Sequence, residues 1–218
     1  MLSTLAGALV AGLTITGPVP ALDPGDGLAV IQQRAERATE NRIHAIDNAL
    51  WRVERTTSLT DGHRATIVAT LEADQAALEA LQNEIAADTE AAEALADYQR
   101  IFTDYRVYAV ALPQALYAAG ADRLTETALP RLEEAYAALA ERAEGEPEAA
   151  DELADMREAI DAATQAANGL ADAALAVTPA NYNEDATALA ELRLDLRQAT
   201  ASARDALHSA RAAVQELR

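Results

Sequence analysis

From residue 28 onward the apolar positions recur at three- and four-residue steps, the period of one face of an α-helix. Ile31, Ala35, Ala38, Ile46, Leu50 and Val53 mark the first stripe, over residues 28–55. The polar stretch 56–62 ends it, and Ser58, Thr60 and Asp61 are all suited to cap a following helix. Ile67, Leu71, Leu78, Leu81 and Ile85 then repeat the pattern. Two long helices across a short loop predict an antiparallel hairpin over residues 28–88. A short break is expected at 88–90. Helix then resumes from 91 to about 144, with a kink expected at Pro113 and at Pro130, because proline lacks a backbone donor and clashes with the preceding turn. The Gly145-Glu146-Pro147 stretch stops this run and starts the next, with Pro147 in a first-turn position. Leu153, Met156, Ile160, Ala163, Ala167, Leu170 and Ala174 line one further helix. Residues 178–183 read as a loop. The last helix is expected over 184–217, with Leu189, Leu192, Leu196, Ala199, Ala203, Ala210, Val214 and Leu217 at heptad-like spacing.

These stripes are narrow, so each helix must bury its face on neighbours. The fold class that follows is all-α: an elongated, antiparallel, coiled-coil-like bundle of roughly five to six long helices filling residues 28–218. A division into a helical hairpin at 28–88 and a three-helix unit at 91–218 is one way to arrange it. No segment of repeat length recurs, which disfavours a solenoid.

Composition sharpens this picture. Roughly a quarter of the residues are Ala, and aromatics make up only 4%. Such a core is thin and suits closely spaced helices rather than a deep globule. The formal charge is −19, which repels phosphate backbones and anionic headgroups, so nucleic acid is not an expected partner. The chain has no cysteine and therefore no disulfide.

Residues 1–21 differ from the rest. An apolar run over 5–15 is broken by Gly17-Pro18, and Val19-Pro20-Ala21 has the small-residue pattern of a signal-peptidase site. We expect a signal peptide at 1–21, a linker at 22–27 and an exported chain beginning near Leu22. The positive residues that usually open such a signal are missing from 1–27, and the expectation is that they lie upstream. The apolar run is short for a membrane span, so no stable span is expected after cleavage. Residues 214–218 continue a helix without a sorting signal, so covalent wall attachment is not expected.

Half of the eight aromatic residues fall in one segment: Tyr98, Phe102, Tyr105 and Tyr108, with Arg106 among them. Tyr98, Phe102 and Tyr105 share a helix face. They serve either as the one bulky layer of the core, packed on Trp51 beside a Pro113 kink, or as an aromatic-lined groove that stacks a sugar ring or holds a peptide. These five residues are the candidate binding face.

No catalytic or metal constellation emerges elsewhere. His44, His63 and His208 have no His or Cys at helical ligand spacing. No nucleophile turn surrounds any serine. The acidic residues between 141 and 155 do not match a calcium loop and read as a solvated helix–turn–helix tip. No cofactor, catalytic residue or metal ligand is therefore assigned.

Several segments carry a resemblance: Leu59-Thr-Asp-Gly-His-Arg-Ala65, Leu71-Glu-Ala-Asp74, Asp104-Tyr-Arg-Val-Tyr108 and Leu112-Pro-Gln114. Together they resemble a family of secreted, Ala-rich, all-helical proteins of actinobacteria, uncharacterised in activity. The resemblance covers roughly residues 28–218. It implies export and an all-helical fold and carries over no site. The expected function is that of a non-enzymatic binding or spacer module in the cell envelope or extracellular space. Its partner would be a protein, a cell-wall component or a second copy met through helix faces. A glycan- or small-ligand-binding module using the Tyr98–Tyr108 face is the alternative.

Overall fold

The computed structural model describes residues 27–144 and 146–217. The expected signal peptide, and the linker up to residue 26, lie outside the described residues. Within them the chain is all-α, with no strand. The helices are α1 (Leu28–Arg55), α2 (Asp61–Ala87), α3 (Ala91–Thr103), α4 (Leu112–Arg123), α5 (Leu129–Arg142), α6 (Ala150–Ala167), α7 (Leu170–Leu175), α8 (Pro179–Glu184) and α9 (Ala188–Glu216).

The α1–α2 hairpin forms as its apolar stripes dictate. Ile31, Ala35, Ile46 and Val53 meet Ile67, Leu71, Leu78, Leu81 and Ile85, all buried. Both ends of the pair are fastened by side chains. At the loop, Thr60 caps α2 by accepting from the His63 N–H, while Arg64 donates to the carbonyls of Val53 and Thr56 at the end of α1. At the far end Gln32 Nε2 donates to Ile85 O at 3.1 Å and Asp88 O at 3.2 Å, closing the C-terminus of α2.

The two prolines produce π-helical turns rather than simple kinks. One π turn spans Val107–Ala111 just before Pro113, the other Leu124–Ala128 just before Pro130. In each, the N–H after the turn reaches back five residues, Leu112 to Val107 O and Leu129 to Leu124 O. An α-helical proline would collide with the carbonyl four residues earlier, and the wider turn lets that carbonyl step aside.

Three local features differ from the sequence expectation. The run 91–144 breaks at 104–106, where Arg106 takes a left-handed φ of 48°. The helix expected across 147–174 divides at Gly169, whose φ of 68° suits a residue without a side chain. The loop expected at 178–183 is taken up by helix α8 (Pro179–Glu184), because its N-cap Thr178 and Asn181 form a capping box around the first-turn Pro179.

Two hydrophobic cores result. The first joins α1, α2, α3, the first π turn, α4 and α7. The second joins Leu124, α5, α6 and α9. The cores do not part near residues 88–91: α3, α4 and α7 pack with the hairpin, because Ala94, Tyr98, Ile101, Ala118 and Leu170 face it. Helix α9, about 43 Å long, ties the cores together. Leu196 packs against both, and an added Cβ on Gly120 of α4 would lie only 3.0 Å from Leu196 Cδ2, so the two helices touch closely there.

In the second core every buried position that α9 contributes is alanine. Ala163, Ala199, Ala206 and Ala213 are fully buried. Ala206→Leu must push the helices apart, and we expect it to cost about 1–3 kcal/mol, read as a fall in denaturant midpoint. An unchanged midpoint would mean that the α6–α9 seam has room to spare.

Candidate functional site

The aromatic segment divides between core and surface. Tyr98 is 2% exposed and meets Phe102 edge-on, ring centroids 5.1 Å apart. Phe102 and Tyr108 hold the guanidinium of Arg42 between them, at 4.4 and 5.2 Å from the ring centres. Arg42 itself is 9% exposed, donates from Nη1 to Ala38 O at 2.8 Å, and has a buried Nε without a partner. Burial pulls its pKa below the usual guanidinium value. Tyr108 donates its hydroxyl to Asn41 O at 2.9 Å, fixing the ring against α1. A sugar ring seeking Phe102 or Tyr108 must therefore first displace an arginine. Trp51 is not part of this layer: it is 56% exposed on α1, with Arg55 over its ring at 4.3 Å.

Tyr105 and Arg106 lie in the break between α3 and the first π turn. Tyr105 packs half-buried against the first core, and burial pushes its hydroxyl pKa up. Asp74 of α2 lies within charge reach of it, its own pKa pushed by burial to about 6. Arg106 turns the other way. Its Nε donates to Asn183 Oδ1 at 2.8 Å and its guanidinium sits 5.4 Å from the centre of Tyr182. Asn183 in turn donates to Thr103 O at 3.0 Å, so α8 closes the end of α3. A non-glycine residue holds a left-handed conformation only where its surroundings over-determine it, and these contacts do so. The five candidate residues thus do not share one face: two enclose Arg42, two pack inward and Arg106 grips α8.

The densest polar cluster lies elsewhere. His63, in the first turn of α2, places Nδ1 at 2.8 and 2.9 Å from the two carboxylate oxygens of Asp122 on α4. Its Nε2 is 3.1 Å from Asp172 Oδ1 on α7. Asp122 is 2% exposed and also accepts the Thr60 N–H at 2.8 Å. The buried carboxylate sets the proton on Nδ1, and Nε2 looks outward to a carboxylate in water. Burial pulls the imidazole pKa down, but the hydrogen bonds to Asp122 and Asp172 outweigh it and hold the value above the usual histidine range. A protonated His63 therefore clamps α2, α4 and α7 together.

His63 follows the cap residues Thr60 and Asp61 in the sequence, but its partners lie 59 and 109 residues away. The one available signal was Asp122 one turn after Ala118, on the buried stripe of α4. His44 and His208 are exposed. Among the described residues, no group of three or more His, Cys, Asp or Glu could hold a metal ion, and no helix is long and apolar enough to cross a membrane. The hollow between α2, α4 and α7, lined by Ile67, Leu71, Gln114 and Leu175, has room for about one water molecule.

Comparison of the chain with models of known protein families, with curated proteins and with solved structures finds no match.

Proposed function

We propose that this chain is an exported, non-enzymatic helical protein that acts as a binding or spacer module in the cell envelope or the extracellular space. The observation that supports the reading most is the use made of its chemistry-bearing residues. Arg42 between Phe102 and Tyr108, His63 between Asp122 and Asp172, and Arg106 against Asn183 each tie one helix to another. They build a two-core array joined by one long helix, with polar outer faces and a few exposed apolar side chains such as Trp51, Leu116 and Leu194. An array of this kind presents surface and sets distance. The signal-like residues 1–21 supply the compartment.

The test is fractionation of the native cells with an antibody to the chain, followed by N-terminal sequencing of the captured protein. We expect a chain beginning near Leu22, in the envelope or the medium. An uncleaved chain in the cytoplasm would overturn the reading. Co-sedimentation with isolated sacculi across a salt series then tells a wall partner from a protein partner.

A further inference from the structure

Helix α9 carries an unusual line of charge. Arg193, Arg197, Arg204 and Arg211 fall within about 40° of one another on the helix, at 100° per residue. The acids of α9, Glu191, Asp195, Asp205 and Glu216, gather on a separate edge. None of the four arginines has an acid three or four residues away: Arg193 is flanked at those steps by Leu189, Ala190, Leu196 and Arg197, and Arg211 by Leu207, His208, Val214 and Gln215. Arg193 and Arg197 are instead a like-charged pair one turn apart, an arrangement that weakens a helix. Arg100 and Arg157 show the contrast. Arg100 has acids at both of its helical steps and pairs with Asp97, Asp104 and Glu84; Arg157 pairs with Asp161 and Glu133. Most arginines of the chain lie outside these ion pairs, so what sets the α9 row apart, in a chain with 36 acidic and 17 basic side chains, is its alignment: four arginines along one edge of a single helix form a strip of positive charge open to an external anion.

Three of the four are exposed, Arg197, Arg204 and Arg211, while Arg193 at the head of the row is half-buried. The row lies on the flank of α9 that turns toward α4. Leu196 touches Gly120 there, which sets Arg193, one turn earlier on α9, beside Tyr117, one turn earlier on α4. The Arg193 Nε is buried without a partner, and the charges of Arg193 and Arg197 act on the Tyr117 hydroxyl.

Spacing then selects the anion. Arg197, Arg204 and Arg211 follow at seven-residue steps, an advance of about 10.5 Å each. Duplex DNA presents a phosphate every ~3.4 Å on each strand, far denser than this row, and its remaining charges would meet the acidic surface. Two pyranose units of a linear polysaccharide advance by close to the arginine step. We propose that the Arg193–Arg211 row of α9 is a binding track for a linear anionic polysaccharide carrying one acidic group per disaccharide, with Tyr117 at its head as a stacking platform for a sugar ring. Each exposed guanidinium takes one acidic group in a forked, charge-assisted pair. The proposal rests on reading the chain as a binding module and names the partner of that module.

The experiment is titration of the full chain with hyaluronate, which has one carboxylate per disaccharide, followed by calorimetry at low salt and repeated at rising salt. Dextran serves as the neutral polymer and duplex DNA as the dense polyanion. We expect hyaluronate to bind and dextran not to. Binding should weaken with salt and fall at least about tenfold in both R193Q/R197Q and R204Q/R211Q, since a charge-assisted hydrogen bond is worth that much. R37Q/R52Q removes the same charge from α1 and should leave binding unchanged, and melting temperatures show whether each variant is folded. The track is overturned if hyaluronate does not bind, if both α9 variants bind it as tightly as the parent, or if DNA binds as well as hyaluronate. An exported chain that pellets with sacculi yet ignores hyaluronate would overturn the track alone. A cytoplasmic chain would overturn the reading beneath it.

Discussion

Asp122→Ala is expected to lower stability by about 3 kcal/mol, a fall of roughly 6–12 °C in melting temperature for a chain of this size. Asp122 is 2% exposed, and its carboxylate answers two donors at once, the Thr60 N–H and His63 Nδ1. Alanine leaves that N–H without its partner and strands the imidazole against an empty site, and a half-deleted buried pair costs more than a missing one. Asp172 cannot take over, being 82% exposed and on the other ring nitrogen. Asp172→Ala itself should cost less than about 1 kcal/mol, as exposed pairs do. Asp122→Asn keeps the acceptor for Thr60 and should fall between the two. Thermal unfolding of the three variants at pH 6, followed by circular dichroism, checks the order. Equal losses in Asp122→Ala and Asp172→Ala would mean that the cluster is surface charge and not a clamp.

The same cluster gives stability a pH slope of known sign. The folded pKa of His63 is raised, so its contribution is complete below the ordinary histidine value of ~6.5 and is lost as pH climbs through the folded value. Asp74 acts in the same direction in a lower window. Held near 6 by burial, against an ordinary aspartate value of 3.8, it binds its proton more tightly when folded, and stability declines between those two values as pH rises. Glu133, whose hydrogen bonds to Arg157 hold its pKa down, has the opposite sign and loses its contribution only as the solution is acidified. Melting temperature should therefore decline as pH rises from about 4, and the part of the decline above the ordinary histidine value of ~6.5 should vanish in His63→Gln.

How far these features could be read from the sequence depends on their range. The limits of α1 and α2, and the break at 88–90, follow from stripes and caps a few residues long, and the structure places them where the pattern does. Pro113 and Pro130 announced disturbance but not its form, because a π turn answers to what packs on either side as well as to the proline. Gly169 was a weaker sign: one glycine in an apolar stripe is tolerated in a helix, and here it ends one. The aromatic segment could be located but not assigned. Its partner is Arg42, some 60 residues earlier, and on a helix wheel that arginine looks like any solvated charge. Asp122 and Asp172 were out of reach for the same reason. The α9 arginine row, by contrast, is periodic and legible in the sequence, and the structure adds that Arg197, Arg204 and Arg211 stand exposed on the flank of α9 beside α4.

Ile46→Ala and Ile160→Ala should each cost about 2–5 kcal/mol and should do so on a single shared transition. Both side chains are fully buried, Ile46 in the first core and Ile160 in the second. Among the described residues, alanine supplies seven of the twenty buried positions in the first core and six of the thirteen in the second, so the apolar burial rests on the large side chains and each carries a sizeable share. Deleting its branches leaves a cavity that neighbouring alanines are too short to fill. Whether the two losses appear together depends on α9. Leu196 packs against both cores, and α4 touches α9 at Gly120 closely enough that neither helix can leave without exposing the other. Opening the second core strips α9 from α6 and removes Leu196 from the first, so each core is a support of the other. Denaturant unfolding followed by far-ultraviolet circular dichroism and by fluorescence of Trp51, which sits on the first core's α1, should give coincident curves in the parent and in both variants. If Ile160→Ala shifts the helical signal while the Trp51 signal stays in place, the cores unfold separately and α9 is a tether, not a common wall.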